Sequence, residues 1–311
     1  RIQNIFRREN LIAMAVPEWQ QDFLKRHSLP QSYLPYALKW FTPLAAELAV
    51  HRAGAKRPLL VAINGAQGSG KSTACDYLRN ELEATFGLQV LSLSLDDFYH
   101  TRGDRMGLAT SVHPLLATRG VPGTHDMNLL QQTLAALLAG ESGRVDIPRF
   151  GKALDDRRPR SSRDVFIGPA DIILLEGWCL GARGQSAAEL ARPVNALEAE
   201  EDPDGRWRNY VNEALERDFV PLYTRVDQWI MLAAPSFDCV YRWRLEQEQK
   251  LAGRSQGDAI MDEVELTRFI QFYERLSRHC LEQLPPRVHY HYQLDEQRQV
   301  LSHRHCLWPE A

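Results

Sequence analysis

Long apolar runs are missing from this sequence of 311 residues. The longest, such as Leu134–Ala139 and Trp229–Ala234, contain six residues, whereas a helix that spans a bilayer needs about 20. We therefore expect a protein that is not inserted in a membrane and has no membrane partner.

A secretory signal is missing as well. The apolar run Leu11–Val16 follows Arg7 and Arg8, but it is shorter than the apolar part of a signal peptide, which has about 7–15 residues. The sequence therefore predicts a protein that is not secreted. Its first residue is Arg1, and Met14 is a candidate for the start of the natural chain.

Cysteine is scarce, and no two cysteines form a CxxC motif. Five scattered cysteines make neither a disulfide framework nor a zinc ribbon, and they are typical of reduced thiols in the cytosol. We therefore predict a cytoplasmic protein. The cysteines are Cys75, Cys179, Cys239, Cys280 and Cys306.

The chain also lacks an excess of basic residues. Lys and Arg number 37 and Asp and Glu number 40, so the formal net charge is −3. Domains that bind nucleic acids carry a strong basic stripe or a high positive charge, so we expect no nucleic-acid partner.

Short apolar segments alternate with helical patterns along most of the chain. This alternation indicates βαβ units and a three-layer α/β fold, in which helices cover both faces of a mostly parallel central sheet. The predicted strands are Leu59–Ile63, Gln89–Leu95, Asp171–Leu175 and Gln228–Ala233. The predicted helices of this region are Ser72–Thr85, Met127–Ala139, Tyr210–Phe219, Phe237–Leu251 and Glu263–Leu284.

The beginning of the chain has helical patterns and no strand pattern. Apolar residues at helical spacing predict helices over Glu18–His27 and Tyr36–His51, and prolines that include Pro35 separate them. We expect a helical N-terminal extension over residues 1–57 and a single α/β domain over residues 58–311.

The segment GAQGSGKS has the spacing of a phosphate-binding loop (P-loop). It follows a predicted strand and opens a predicted helix, which is the context that the motif requires. Glycines let the backbone wrap around an anion, so successive N–H groups and the helix dipole face phosphate oxygens. We expect Lys71 to reach the β- and γ-phosphates of a nucleoside triphosphate and Ser72 to bind Mg²⁺. The predicted nucleotide-binding residues are Gly65, Ala66, Gln67, Gly68, Ser69, Gly70, Lys71, Ser72 and Thr73.

Acidic residues follow two of the predicted strands. Asp96 and Asp97 end the second strand, and Glu176 follows Asp171–Leu175. The carboxyl ends of parallel strands face the ligand crevice, where Asp96 can deprotonate an attacking hydroxyl and bind a metal, and Glu176 can support that metal. Neighbouring side chains of a strand point to opposite faces, so Asp97 either contacts substrate or caps the next turn.

The sequence lacks two motifs that accompany other uses of a P-loop. It has no NKxD motif for reading guanine and no ABC-type signature, which argues against a switch GTPase and a mechanical ATPase. The P-loop and the acids at the strand ends therefore predict phosphoryl transfer from ATP to a small molecule.

Several ordered segments resemble P-loop kinases of the phosphoribulokinase, uridine kinase and pantothenate kinase superfamily. Within it, the chain is similar to the plant-type D-glycerate 3-kinase group and its bacterial relatives. The P-loop is generic, but the ordered combination of the other segments is specific. The segments are INGAQGSGKST, SLDDFYHTRGDR, RGVPGTHDM, IPRFGKALDDRRP, DIILLEGWCLGA, YVNEAL and APSFDCVYRWRLEQEQK.

The resemblance implies an ATP- and Mg²⁺-dependent kinase with a helical lid, which would convert D-glycerate to 3-phosphoglycerate. Asp96 matches the catalytic base of the superfamily, and Asp126 matches an acid of the substrate pocket. Arg242 and Arg244 match arginines of the lid helix that approach the transferring phosphoryl group. Apart from the resemblance, ion pairs at i,i+4 spacing describe Phe237–Leu251 as an ordinary exposed helix.

The polar stretch Gly140–Gly168, which we predict to be a long surface connection, is rich in cations. Arginine recognises carboxylates through two parallel hydrogen bonds, so Arg149, Lys152 and Arg157 are candidates for binding a carboxylate substrate. The alternative for each is a solvated charged loop. The predicted substrate-binding residues are Asp97, Tyr99, Asp126, Arg149, Lys152 and Arg157.

Three alternatives stay open at this point. The acceptor can be pantothenate or a nucleoside, and the chain can be an ATP-binding regulatory protein without turnover. A third concerns four histidines near the C-terminus, which would form a zinc site if a hairpin brought them together, although edge-strand histidines are commoner. They are His289, His291, His303 and His305.

Overall fold

The computed structural model describes residues 16–252, 261 and 263–305. The strands are β1 (Leu59–Gly65), β2 (Val90–Ser94), β3 (Arg144–Ile147), β4 (Phe150–Gly151), β5 (Asp156–Arg157), β6 (Asp164–Ile167), β7 (Ile172–Gly177), β8 (Gln228–Ala233), β9 (Tyr290–Leu294) and β10 (Val300–His305). The α-helices are α1 (Glu18–His27), α2 (Tyr33–Gly54), α3 (Lys71–Phe86), α4 (Arg102–Ser111), α5 (Met127–Leu138), α6 (Ala187–Leu190), α7 (Ala196–Glu201), α8 (Arg206–Ala214), α9 (Val220–Tyr223), α10 (Phe237–Ala252) and α11 (Glu263–Gln283).

The central sheet has six strands in the order β10-β9-β8-β1-β7-β2. Five of them are parallel, and β10 joins the edge antiparallel to β9. Strands β1 and β7 are buried along their whole length, because helices cover both faces of the sheet. The prediction of an α/β fold with a mostly parallel sheet is confirmed.

Two apolar cores lie on the two faces of the sheet. One contains Leu134 of α5, Val211 of α8 and Phe272 of α11. The other contains Phe41 of α2 and Leu78 of α3, together with side chains of α1 and α10. The sheet and these two helical layers give the molecule its three layers. No helix in the described part of the chain has the length and apolar character that crossing a bilayer requires.

The first two helices pack on α3 and on the far edge of the sheet. The Phe23 ring lies 5.4 Å from that of Tyr77, and the Phe41 ring lies 6.0 Å from that of Tyr292. The prediction that Pro35 precedes the helix was wrong, since α2 begins at Tyr33. Proline is accepted there because the N–H groups of a first turn have no partner within the helix. The division of the chain after residue 57 stays a prediction.

The stretch from Gly140 to Gly168 is a largely exposed connection between α5 and β7, as the sequence predicts, and it also contains short strands that the sequence did not reveal. Strands β3 and β6 form an outer antiparallel pair, and β4 and β5 form an inner one. The inner hairpin carries three of the predicted cations. Arg149 directly precedes β4, Lys152 lies in the turn, and Arg157 is on β5. This arrangement folds a charged segment back over the carboxyl end of the sheet.

The C-terminal histidines lie on a hairpin, but they do not come together. His305 stacks on Tyr290 with ring centroids 4.5 Å apart, and His303 stacks on Tyr292 at 4.8 Å. Because side chains alternate along β9, His291 points to the opposite face of the hairpin. Its register therefore separates the two histidine pairs and does not form the zinc site that the sequence left open.

Candidate active site

The P-loop connects β1 to α3 through closely packed glycines. A Cβ atom on Gly65 would lie 2.5 Å from the Ser69 hydroxyl, and one on Gly68 would lie 2.6 Å from Cβ of Trp243. Gly68 and Gly70 have φ values of 77° and 88°, in the left-handed region that favours glycine. These residue types let the loop curl in front of the first turn of α3, where N–H groups and the helix dipole attract anions.

Glu176 lies directly beside this first turn. The register of β1 and β7 pairs it with Ile63, two residues before the end of β1. The Ser72 hydroxyl donates a hydrogen bond to Oε1 of Glu176 at 3.0 Å, and Nζ of Lys71 lies 3.8 Å from Oε2. Three predicted site residues are thus in contact at the carboxyl end of the sheet.

The two aspartates after β2 have different partners. A 3₁₀ turn, Leu95–Phe98, carries both of them. Oδ1 of Asp96 accepts a hydrogen bond from the Tyr99 hydroxyl at 2.9 Å, and Oδ2 accepts one from Nζ of Lys152 at 2.8 Å. Asp97 instead accepts hydrogen bonds from Arg149 at 2.6 Å and from the Phe150 amide at 3.1 Å. Asp97 therefore anchors the inner hairpin, whereas Asp96 contacts Lys152 and lies within range of the charge of Lys71 in the P-loop.

The electrostatic environment favours an ionised Asp96. Burial by itself would raise the pKa of this carboxyl, but Lys152 and Lys71 outweigh it and hold the pKa well below its usual range. The same contact raises the pKa of Lys152, mainly through the charge of Asp96. The pair is therefore a carboxylate and an ammonium group at neutral pH.

Asp126 and Arg157 form a second ion pair in the same cleft. Oδ1 of Asp126 caps α5 by accepting from the Leu129 amide at 3.0 Å, and its Oδ2 accepts from Arg157 at 3.0 Å. Arg157 also donates to the backbone carbonyl of Tyr99 at 3.0 Å. This pair joins the inner hairpin to the segment that carries Asp96.

His125 is a site residue that the sequence reasoning missed. Its ring stacks on Tyr99 at 4.4 Å and is almost fully buried. Burial lowers its pKa to about 3, so the ring is neutral at neutral pH. Neither ring nitrogen has a hydrogen-bond partner in the described structure. Its position inside the segment RGVPGTHDM was the available signal.

The cations of the site are already paired with carboxylates. Arg149 bridges Asp97 and Asp164, the latter at 2.7 Å. Arg119, which was not predicted, pairs with Asp155 and lies over the Phe150 ring. These pairs hold the hairpin cations in fixed positions above the cleft.

Helix α10 packs on the P-loop through Trp243. The two arginines on either side of this residue have different surroundings. Arg242 pairs with Glu296 of the β9–β10 turn at 3.1 Å, and the Arg244 guanidinium lies over the Phe269 ring at 5.4 Å. The structure therefore does not bring these two arginines together.

Comparison with known proteins gives two relatives and one solved structure of interest; no family model matches the chain. The uncharacterized kinase mug58 of Schizosaccharomyces pombe is 32% identical over 253 residues, which is 73% of this chain and 87% of that protein. The chloroplastic D-glycerate 3-kinase of Arabidopsis thaliana is 32% identical over 227 residues, which is 70% of this chain and 46% of that enzyme. The chain belongs to the P-loop kinase group that contains D-glycerate 3-kinase.

A solved structure shows the same fold in this kinase group. D-glycerate 3-kinase from Cryptococcus neoformans superposes with a TM-score of 0.72 at 24% identity, covering 86% of this chain and 99% of that one. The resemblance stated from the sequence, to the superfamily of uridine kinase and phosphoribulokinase, is confirmed. The protein is therefore a phosphotransferase.

Arg298 is a further residue of the kinase that the sequence reasoning missed. It lies in the β9–β10 turn with a φ of 66°. Its Nε donates to the P-loop carbonyl of Gly68 at 2.8 Å, and its guanidinium pairs with Glu246 at 2.7 Å and lies over the Trp243 ring at 5.2 Å. Arg298 thus ties the C-terminal hairpin and α10 to the P-loop.

We expect Arg298→Gln to raise the KM for the nucleotide about three- to tenfold, because a charge-assisted hydrogen bond to a carbonyl contributes about 1.5–3 kcal/mol and this one is partly solvated. The kcat should change less than the KM. Initial rates at varied nucleotide concentration measure both values. Arg304→Gln, which removes an arginine from the neighbouring strand, is the control. An unchanged KM in Arg298→Gln would show that this contact does not position the P-loop.

Proposed function

We propose that this kinase transfers the γ-phosphoryl group of ATP to the primary hydroxyl of D-glycerate, giving 3-phosphoglycerate. The observation that carries the proposal is the Asp96 carboxylate, which lies close enough to Lys71 of the P-loop for the two charges to interact and which accepts a hydrogen bond from Lys152 of a cationic hairpin. The site thus combines a phosphate-binding loop, a base and a carboxylate-binding group. The name of the plant relative supports the choice of acceptor.

Asp96 has the position that a general base for the acceptor hydroxyl needs. The Tyr99 hydroxyl and Lys152 fix its two oxygens, and 31% of its side chain stays accessible from the cleft. A carboxylate in this position orients the hydroxyl and takes its proton as the oxygen attacks phosphorus.

Lys152 is the hairpin cation best placed to meet the substrate carboxylate. Its side chain is 65% exposed, and its ammonium group, which donates one hydrogen bond to Asp96, has two more N–H groups to offer. Arg149 and Arg157 are mostly covered and are paired with Asp97 and Asp126. The two arginines keep the hairpin in place, and the ammonium group of Lys152 is the feature that favours an anionic acceptor over a neutral one.

The residues beside the P-loop fit Mg²⁺. Oε2 of Glu176 is buried without a hydrogen-bond partner in the described structure, and the Ser72 hydroxyl and Asp96 add further oxygens. Hard oxygen donors of this kind suit Mg²⁺, and the bound ion would neutralise charge on the β- and γ-phosphates. Lys71 and the loop amides hold the phosphates from the other side.

Two further parts of the site and the cellular location also belong to this proposal. Residues 65–73 would hold the triphosphate, and the buried Ser69 hydroxyl, which has no partner in the described structure, would donate to it. Arg242 and Arg244 would approach the phosphoryl group from α10 during closure. The cytoplasmic location stays a prediction, since the plant relative is chloroplastic.

A panel of acceptors read by ADP release tests the proposal. We expect a kcat/KM for D-glycerate at least about 100-fold above that for glycerol, because an ion pair with the carboxylate contributes about 3 kcal/mol. NMR of the product should place phosphate on the terminal carbon. Preference for pantothenate or uridine would assign another acceptor, and ADP release that no acceptor stimulates would contradict kinase turnover on small molecules.

A further inference from the structure

A second cavity lies away from the P-loop. It has a volume of about 970 Å³ and opens beside the first residues of β8. The P-loop follows the carboxyl end of β1, and β8 runs parallel to β1, so the cavity is near the opposite end of the sheet. Its residues take no part in the proposed phosphoryl transfer.

The inner wall of this cavity is apolar and aromatic. The rings of Tyr223 and Trp229 pack edge to face with centroids 5.2 Å apart, and Val226, Leu284 and Val288 also line the space. Such a wall suits the body of an aromatic or aliphatic ligand.

The rim of the cavity is positively charged. Arg183 and Arg287 both line it and are exposed, and neither has a carboxylate partner among the residues that the structure describes. The acid of the lining, Asp227, is already neutralised, since both its oxygens accept hydrogen bonds from Arg57 at 2.9 Å. The two rim arginines therefore leave a net positive charge over an apolar wall.

We propose that this cavity binds a small organic anion with an apolar body. Arg183 and Arg287 would hold its carboxylate, sulfonate or phosphate group, and its body would lie against Tyr223 and Trp229.

Fluorescence titration with anilinonaphthalene sulfonate tests the site on the full chain. The wild type should bind the probe saturably at one molecule per chain. The double variant Arg183→Gln/Arg287→Gln should bind at least about tenfold more weakly, since each charge-assisted contact contributes about 1.5 kcal/mol or more. The matched control Arg144→Gln/Arg192→Gln removes two arginines from outside the cavity lining and should bind like the wild type.

Two further measurements test whether the charge of the probe and the second cavity account for its binding. A neutral probe, phenylnaphthylamine, should bind wild type and double variant alike, because the apolar wall is unchanged. ATP should not displace the sulfonate if the probe occupies the second cavity. Equal sulfonate affinity in wild type and double variant, or full displacement by ATP, would overturn the proposal. An unchanged Tm in thermal unfolding confirms that the double variant is folded.

Discussion

Asp96→Asn should lower the kcat of the kinase by about 100- to 10,000-fold, the range that a general base contributes. The amide has almost the same shape as the carboxylate, so it can still accept from Tyr99, but it can no longer take a proton. The KM for ATP should change little if the loop and Lys71 carry most of the nucleotide binding. Initial rates at varied ATP and D-glycerate separate the two effects.

Asp97→Asn is the matched control for this experiment. It makes the same chemical change one residue along the same turn, but Asp97 bonds to Arg149 and the Phe150 amide instead of facing the P-loop. This variant should lose stability or raise the KM for the acceptor, because the inner hairpin loosens. A near-normal kcat in Asp96→Asn, or an equal loss of kcat in both variants, would remove Asp96 as the base.

Local sequence patterns were sufficient for four of the six strands of the central sheet, but they did not predict β9 and β10. The bounds of β8, Gln228–Ala233, agree with its continuous apolar run, and those of α1, Glu18–His27, agree with its spacing. Both segments are long enough for periodicity to decide their structure. The inner hairpin was missed because β4 and β5 have two residues each, which is too short for any alternation. Contacts with distant residues, including Asp97 and Asp126, give that segment its position.

The residues of the candidate site also differ in whether local sequence patterns could place them. Lys71, Ser72 and Glu176 could be placed from sequence because each stands directly after a strand or loop whose position is dictated by the parallel sheet. Arg298 could not, since its contact with Gly68 joins residues 230 positions apart. His125 is similar, because its burial depends on stacking against Tyr99 and on packing with Phe219. Long-range contacts of this kind leave no periodic trace in a single sequence.

Lys71→Met should lower the kcat by about 100- to 1,000-fold, as expected when one preorganised charge that stabilises the transition state is removed. Methionine keeps much of the apolar stem of the side chain, so the first turn of α3 should persist. The variant also leaves the buried Glu176 without its nearby ammonium group, which lies 3.8 Å from Oε2. We therefore expect a lower Tm in the absence of nucleotide as well.

Adding Glu176→Gln to Lys71→Met separates the expected loss of Tm from the expected loss of kcat. If the loss of Tm in Lys71→Met comes from the uncompensated carboxylate, the double variant Lys71→Met/Glu176→Gln should recover most of the Tm by thermal unfolding. Its kcat should stay low, because the phosphates still lack Lys71. Recovery of kcat along with Tm would mean that Lys71 acts by neutralising Glu176 and not by binding phosphate, and would contradict the proposed role of Lys71.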